Sequence, residues 1–262
     1  MLYAPNVRLL ALAAASVLAL PAGGLARTTG GDVPPYRPNR LVVDDLARQG
    51  AVIYCGGGSK GLVALTFDDG PGPYTSALLR VLRRNRARAT FFDVGDRLHE
   101  GGGRLPGQQE RLGVVGNHTW SHRHLVGLSH DVLAAEIELT EREGAALIGR
   151  HMQLFRPSYG EQSLLLARML RSHGLLEVLW SVDSGDSRPF ANPAAVFRTV
   201  ETAVRPGSIV LLHDLHPWMP QVAARLLKTL RQRHLRPVTV PELVAADPRP
   251  LDRRGRPRND CR

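Results

Sequence analysis

Aromatic residues make up only 5% of this 262-residue chain, acids are outnumbered 24 to 34 by Lys and Arg, and there are two cysteines. Nowhere does an arginine-rich run interleave with rings that could stack on bases. That argues against a nucleic-acid partner despite the formal charge of +10. The apolar run at residues 9–20 is too short for a comfortable transmembrane span and has the length of a signal-peptide core. A twin-arginine signal is lacking, and so is any internal repeat. What remains is 43% apolar and 22% charged residues, a composition that supports one large folded domain.

Arg8 is the only charged side chain before Arg27, and Gly24-Leu25-Ala26 offers small residues for cleavage after Ala26. Residues 1–26 therefore read as a signal peptide, with an uncleaved anchor as the alternative. Either places the body of the protein outside the cytoplasm, secreted or in the cell envelope, and a cleaved signal leaves no stable membrane span. Residues 27–60, rich in Pro, Gly and Arg, read as a linker or wrapping arm; 61–246 carry the regular pattern of a catalytic domain; 247–262 form a basic tail. From Arg225 onward eleven Lys or Arg stand against four acids, which suits an anionic cell-wall polymer or membrane surface. In an exported chain, parity pairs Cys55 with Cys261, a bridge that would staple the tail to the domain entrance.

Apolar runs at 61–67, 89–94, 112–116, 152–155, 177–182, 208–213 and 237–240 have strand character. Helical spacing fills 74–86, 129–149, 161–173, 193–204 and 220–234, while 99–110, with three consecutive glycines, reads as loop with at most a short helix. The alternation predicts α/β architecture with parallel strands and crossover helices. Seven strands can close a barrel or lie in an open doubly wound sheet, and periodicity does not separate the two.

Polar residues gather where these strands end. The first run stops at Thr66-Phe67-Asp68-Asp69-Gly70-Pro71. Strand alternation predicts that the two carboxylates point different ways, one free to hold a metal and the other to handle a proton; a solvated Asp-Gly turn is the plainer reading. The third run is followed by His118-Thr119-Trp120-Ser121-His122, whose two histidines share a face if the segment is helical. With an aspartate from another strand end they make an Asp-His-His set suited to Zn²⁺ or a similar divalent ion. Then come Arg156-Pro157-Ser158-Tyr159-Gly160, Asp183-Ser184-Gly185-Asp186 and Leu211-Leu212-His213-Asp214. Each alone is a turn, a cap or a surface ion pair; five on successive strands fit the mouth of a barrel enzyme.

In this order the five motifs resemble the polysaccharide deacetylase family, the NodB-type carbohydrate esterases of family 4, over about residues 62–244. The resemblance implies a distorted (β/α) barrel that hydrolyses acetyl groups, mostly N-acetyl, from a cell-wall or extracellular polysaccharide such as peptidoglycan or a chitin-like glycan. It implies Asp69, His118 and His122 as metal ligands, Asp68 as general base oriented by Arg156, and His213 as general acid oriented by Asp186. It also implies the Tyr159 N–H as oxyanion donor and Leu211 as the wall of an acetyl-methyl pocket. An aspartate behind His213 favours its cationic form, which a proton donor needs.

Two departures bear on substrate. Ser158 stands where the family has a second proline, and Ser187 where it has an aromatic that walls the sugar groove. Trp120, Tyr74 and Trp218 are the other aromatics near the motifs, each as readily a core residue as a sugar platform. An O-acetyl xylan or glycan esterase, and a non-catalytic wall-glycan binder on the same barrel, are the alternative functions.

Overall fold

The computed structural model describes residues 40–101, 103–247 and 261, all within one compact unit spanning 33–262. The signal-peptide reading of 1–26, and the tail apart from Asp247 and Cys261, lie outside the described residues.

Nine parallel strands and nine α-helices are described. In chain order they are α1 (Arg40–Arg48), β1 (Val52–Ile53), β2 (Leu62–Gly70), α2 (Thr75–Arg84), β3 (Ala89–Asp93), α3 (Gly95–Gly101) and α4 (Leu105–Leu112). β4 (Gly113–Asn117), α5 (His130–Ile148), β5 (Leu154–Phe155), α6 (Leu164–Ser172), β6 (Leu176–Val178) and β7 (Val182–Asp183) follow. The chain continues with α7 (Pro193–Ala203), β8 (Ile209–His213), α8 (Met219–Gln232), β9 (Arg236–Val238) and α9 (Val240–Ala246). Strand order is β1-β6-β5-β4-β3-β2-β8-β7, with β9 pairing the first three residues of β2. The path ends on β1 and β7, so the sheet curls into a distorted half-barrel rather than closing through a continuous ladder.

β2 is the axis of the fold. Eight of its nine residues are buried, as expected for a parallel strand covered on both faces. One face packs with α2, α7 and α8 through Phe67, Leu78, Phe197 and Leu226; the other packs with α1 and α9 through Ala64, Val43 and Leu243. Helix ends follow local chemistry. Ser129 caps α5, Ser163 caps α6, Asn192 caps α7, and Thr239 with Glu242 forms a capping box on α9.

The sheet differs from the expected seven strands in two places. The run at 177–182 splits into β6 and β7, because residues 179–181 cross over: Leu179 N–H donates to Ile53 O, and Ser181 N–H to Ile209 O. The segment read as linker or arm contains α1 and β1. Val43 and Ala47, one turn apart, are buried on the core, and β1 pairs with β6. The glycine-rich stretch at 99–110 holds the end of α3 and most of α4. No described helix is long and apolar enough to cross a membrane.

Cys55 and Cys261 are joined by a disulfide across 206 positions, with Cα atoms 6.0 Å apart. Asp247 ties down the chain just before the tail, accepting from Ser59 N–H and Oγ–H at 2.8 Å and from Lys60 N–H at 3.0 Å. Cross-linking a long loop restricts the unfolded ensemble. Cys55→Ser is expected to cost about 2–4 kcal/mol, read as a lower Tm under non-reducing conditions; an unchanged Tm would show the bridge idle.

Candidate active site

Parallel register brings the motifs together. In the sheet Asp68 lies beside His213 of β8, and Asp93 of β3 beside Asn117 of β4. The strand ends therefore place Asp68, Asp69, His118, His122, Leu211 and His213 around one cleft of about 440 Å³.

The first motif leaves regular strand geometry at its reactive end. Register shifts between Asp68 and Gly70, Asp69 has φ 65°, and the Gly70–Pro71 peptide is cis. A left-handed aspartate inside a bulge cancels the alternation on which opposed carboxylates depended. Both acids turn into the same cleft: Asp68 Oδ2 is 3.8 Å, and Asp69 Oδ1 3.5 Å, from His118 Nε2. The expectation that they point different ways is thus overturned. What separates them is their partners. Asp68 Oδ1 accepts from Arg156 Nη1 at 2.6 Å, whereas Asp69 Oδ1 is buried without a hydrogen bond and lies 3.1 Å from His122 Nε2.

The two histidines are not on a helix. Thr119 (φ 67°) and His122 (φ 53°) are left-handed, and the loop curls so that the imidazole centroids stand 5.0 Å apart. Its shape is held from outside. Thr119 N–H donates to Asn117 Oδ1, His122 N–H donates to Thr119 Oγ1, and the Thr119 and Ser158 hydroxyls meet at 2.8 Å. Glu136, buried on α5, accepts from both the N–H and the hydroxyl of Ser121 at 2.8 Å. Ser158, flagged in the sequence only as a departure from the family, is therefore the brace between the arginine motif and the histidine loop.

Asp69, His118 and His122 offer three ligand atoms within 4.8 Å of one another. The donor set fits a divalent metal on two further counts. His118 Nδ1 donates to Arg156 O at 2.7 Å, which leaves Nε2 with its lone pair toward the cluster. The charge states also suit a ligand set. Burial opposes ionisation of Asp69, but His118, His122, His213 and Arg97 hold its pKa below the ordinary value. Burial outweighs the facing carboxylates at His118 and pushes its pKa down, toward the neutral ring that coordinates.

Arg156 is fully buried and makes four hydrogen bonds. Its guanidinium donates to Asp68 Oδ1, Thr66 Oγ1, Val178 O and Leu179 O, and it sits 4.1 Å above the Phe92 ring. Across the cleft, Asp186 is also fully buried. Its Oδ1 meets His213 Nδ1 at 2.8 Å, its Oδ2 accepts His213 N–H at 2.7 Å, and Ser184 Oγ–H donates to Oδ1. Burial alone would lower the His213 pKa. The hydrogen bond and charge of Asp186, with Asp68 and Asp69 behind them, overcome that and raise it to about 9.

Tyr159 has φ 58°, and its N–H takes no partner among the described residues. The residue is 57% exposed, its ring stacked on His124 at 4.1 Å and edge-on to His122 at 4.8 Å. The cleft's aromatic walls are Tyr159 and Trp180. Trp180 was hidden inside an apolar run, and its ring lies so close under Gly160 that a Cβ there would come within 2.9 Å. Trp120, Tyr74 and Trp218 do not line the cleft: Trp120 packs by Gly95, Tyr74 begins α2, and Trp218 stacks on His216. Ser187 lines the cleft where a bulkier wall was expected.

Known proteins are similar to this chain. The polysaccharide deacetylase family matches residues 56–178. The chain is 31% identical over 182 residues to the peptidoglycan-N-acetylglucosamine deacetylase PgdA of Listeria monocytogenes, covering 69% of this chain but 38% of that protein's length. It is 33% identical over 189 residues to a peptidoglycan-N-acetylglucosamine deacetylase of Bacillus cereus, covering 70% of this chain and 88% of that protein. The solved family 4 carbohydrate esterase from Streptomyces lividans, in complex with acetate, superposes with a TM-score of 0.63 at 34% identity, covering 70% of this chain and 92% of that one. The curled parallel sheet, the strand-end motifs and these similarities together place the chain in the polysaccharide deacetylase family.

Proposed function

We propose that this chain is an exported, metal-dependent hydrolase that removes acetyl groups, chiefly N-acetyl, from a cell-wall or extracellular polysaccharide such as peptidoglycan. One observation carries the reading: a buried Asp-Arg pair and a buried Asp-His pair flank one Asp-His-His set in one cleft. The Listeria and Bacillus relatives are by name peptidoglycan deacetylases, which supports the substrate class. On this reading the catalytic domain is 61–246, with α1 and β1 packed onto it, and the 1–26 leader directs export.

Asp69, His118 and His122 would hold the metal, Zn²⁺ by donor type. When bound it supplies Lewis-acid polarisation of the acetyl carbonyl and a more acidic water. The chain's own groups do the proton work. Asp68, its Oδ1 fixed by Arg156, takes a proton from the water as the new C–O bond forms. The Tyr159 N–H donates to the carbonyl oxygen as charge builds there. His213, with Nδ1 committed to Asp186, gives its other ring proton to the amine nitrogen as the C–N bond breaks, releasing acetate and a free amine. Leu211 packs against the acetyl methyl, and Trp180 with Tyr159 faces the sugar.

Acetate release from peptidoglycan, chitin oligomers and acetyl-xylan, with and without chelator, tests the reading. Release from the amide substrates that stops on chelation is expected. Silence on all three with any divalent metal would leave a glycan binder, and release from xylan alone would assign an ester substrate.

The pH profile tests His213 separately. A proton donor is lost as pH rises through its pKa, so amide turnover falls on the alkaline side. Asp186→Asn removes the charge that raises the His213 pKa, so the alkaline limb moves to lower pH. A limb that stays in place would exclude His213 as the donor.

A further inference from the structure

A second cleft, of about 380 Å³, opens where strands begin rather than where they end. Its walls are the turn from α2 into β3 and the turn from α8 into β9, at the end of the sheet away from Asp68 and His213. Arg86, Arg88, Arg231, His234 and Arg236 line it. The acid among the lining residues, Glu242, is engaged already: Oε2 accepts from Thr239 N–H at 2.9 Å, and Oε1 faces Arg88 at 3.8 Å. Arg231 reaches Asn85 Oδ1 at 3.3 Å, but the Arg86 and Arg236 side chains have no partner among the described residues.

Part of this charge has a plain explanation, since both turns follow helix C-termini, where cations are favoured. That accounts for Arg231 in the last turn of α8. It does not account for Arg86, His234 and Arg236, which lie beyond the helix ends. Arg86 (φ 51°) and His234 (φ 55°) occupy left-handed positions, the place where glycine usually ends a helix. Elsewhere in this chain glycine does so, Gly149 (φ 76°) after α5 and Gly174 (φ 67°) after α6. Twice, then, the backbone accepts an unfavourable conformation, and both side chains line the same cleft.

We infer that this cleft binds the phosphate groups of a base-free polyanion, a polyol-phosphate chain, and so holds the protein on a charged matrix while the cleft at the opposite end of the sheet works on acetylated glycan. Guanidinium forks match phosphate oxygens. No phenyl, phenol or indole ring is among the lining residues, so nucleobases would find no platform to stack on. The choice of a wall-type polymer rests on the deacetylase reading; the anion site itself does not.

The test is polarisation of a labelled glycerol-phosphate oligomer with the full chain across a salt series. The wild type is expected to bind with an affinity that falls as salt rises. Arg86→Glu/Arg236→Glu should bind about tenfold more weakly or worse, with a flatter salt dependence, while Tm and acetate release from a neutral oligomer stay unchanged. The milder Arg86→Gln/Arg236→Gln should give an intermediate loss. Equal binding by wild type and the Glu variant overturns the inference. So does a loss that instead follows Arg253→Gln/Arg254→Gln/Arg256→Gln in the tail, or tighter binding of single-stranded DNA of equal charge. Polymer binding without acetate release from any substrate supports the cleft and removes only the deacetylase reading.

Discussion

Asp68→Asn is expected to lower kcat/KM on N-acetylglucosamine oligomers by roughly 10²–10⁴-fold, the range for removing a general base, while metal binding persists. The companion His118→Ala should lose both, since His118 Nε2 is one of the three clustered ligand atoms. The comparison is demanding because the two aspartates are not on opposite faces: both carboxylates lie within 4 Å of His118 Nε2, Asp68 at 3.8 Å and Asp69 at 3.5 Å. Distance does not separate the proposed base from the proposed ligand, but their hydrogen bonding differs. Arg156 engages Asp68 Oδ1, and Asp69 Oδ1 is left without a hydrogen bond. Calorimetric metal titration of both variants, beside their kinetics, reads the division directly. If Asp68→Asn weakens metal binding as much as His118→Ala does, Asp68 is a ligand and the assignment of the base fails.

Arg156→Met should destabilise the fold by about 3–5 kcal/mol, the cost of stranding one member of a buried ion pair, lowering Tm by roughly 10 °C. Arg156 is fully buried and Asp68 is 2% exposed, so water cannot take over the arginine's role. The truncation also orphans the Val178 and Leu179 carbonyls, which Arg156 Nε and Nη2 now satisfy. Adding Asp68→Asn to Arg156→Met removes the second charge and should recover part of the lost stability, because the stranded carboxylate is the costly species. A thermal melt of the single and double variants checks this. If Arg156→Met melts with the wild type, the guanidinium is not holding the strand ends together, and its role would be confined to the chemistry.

The elements with repeated apolar spacing are legible in the sequence. β2, β3, β4 and β8, and the helices α2, α5, α6, α7 and α8, lie within a few residues of their expected places because each buries a continuous run or stripe. α1 was missed although Val43 and Ala47 carry the right spacing, since nine residues flanked by Pro- and Gly-rich chain give little periodicity to read. Trp180 was missed because an aromatic inside an apolar run looks like core; only the crossover at 179–181 brings it to the cleft. Glu136 was missed because a carboxylate on an amphipathic helix carries no local sign of being buried.

The order and chemical type of the cleft's polar groups were therefore determined by the sequence alone: an acid pair, a histidine pair, an arginine, a second acid and a last histidine, each where an apolar run stops. Which of them meet was decided only by the folded chain. Parallel register puts Asp68 beside His213 across 144 intervening positions, and no local pattern encodes a register. The left-handed backbone at Asp69 turns into one cleft two carboxylates that strand alternation would have pointed apart, and that at Thr119 and His122 brings two histidines together without a helix. Those conformations cost energy that neighbours such as Arg97, Ser158 and Glu136 offset through tertiary hydrogen bonds, so they exist only once the whole sheet has formed.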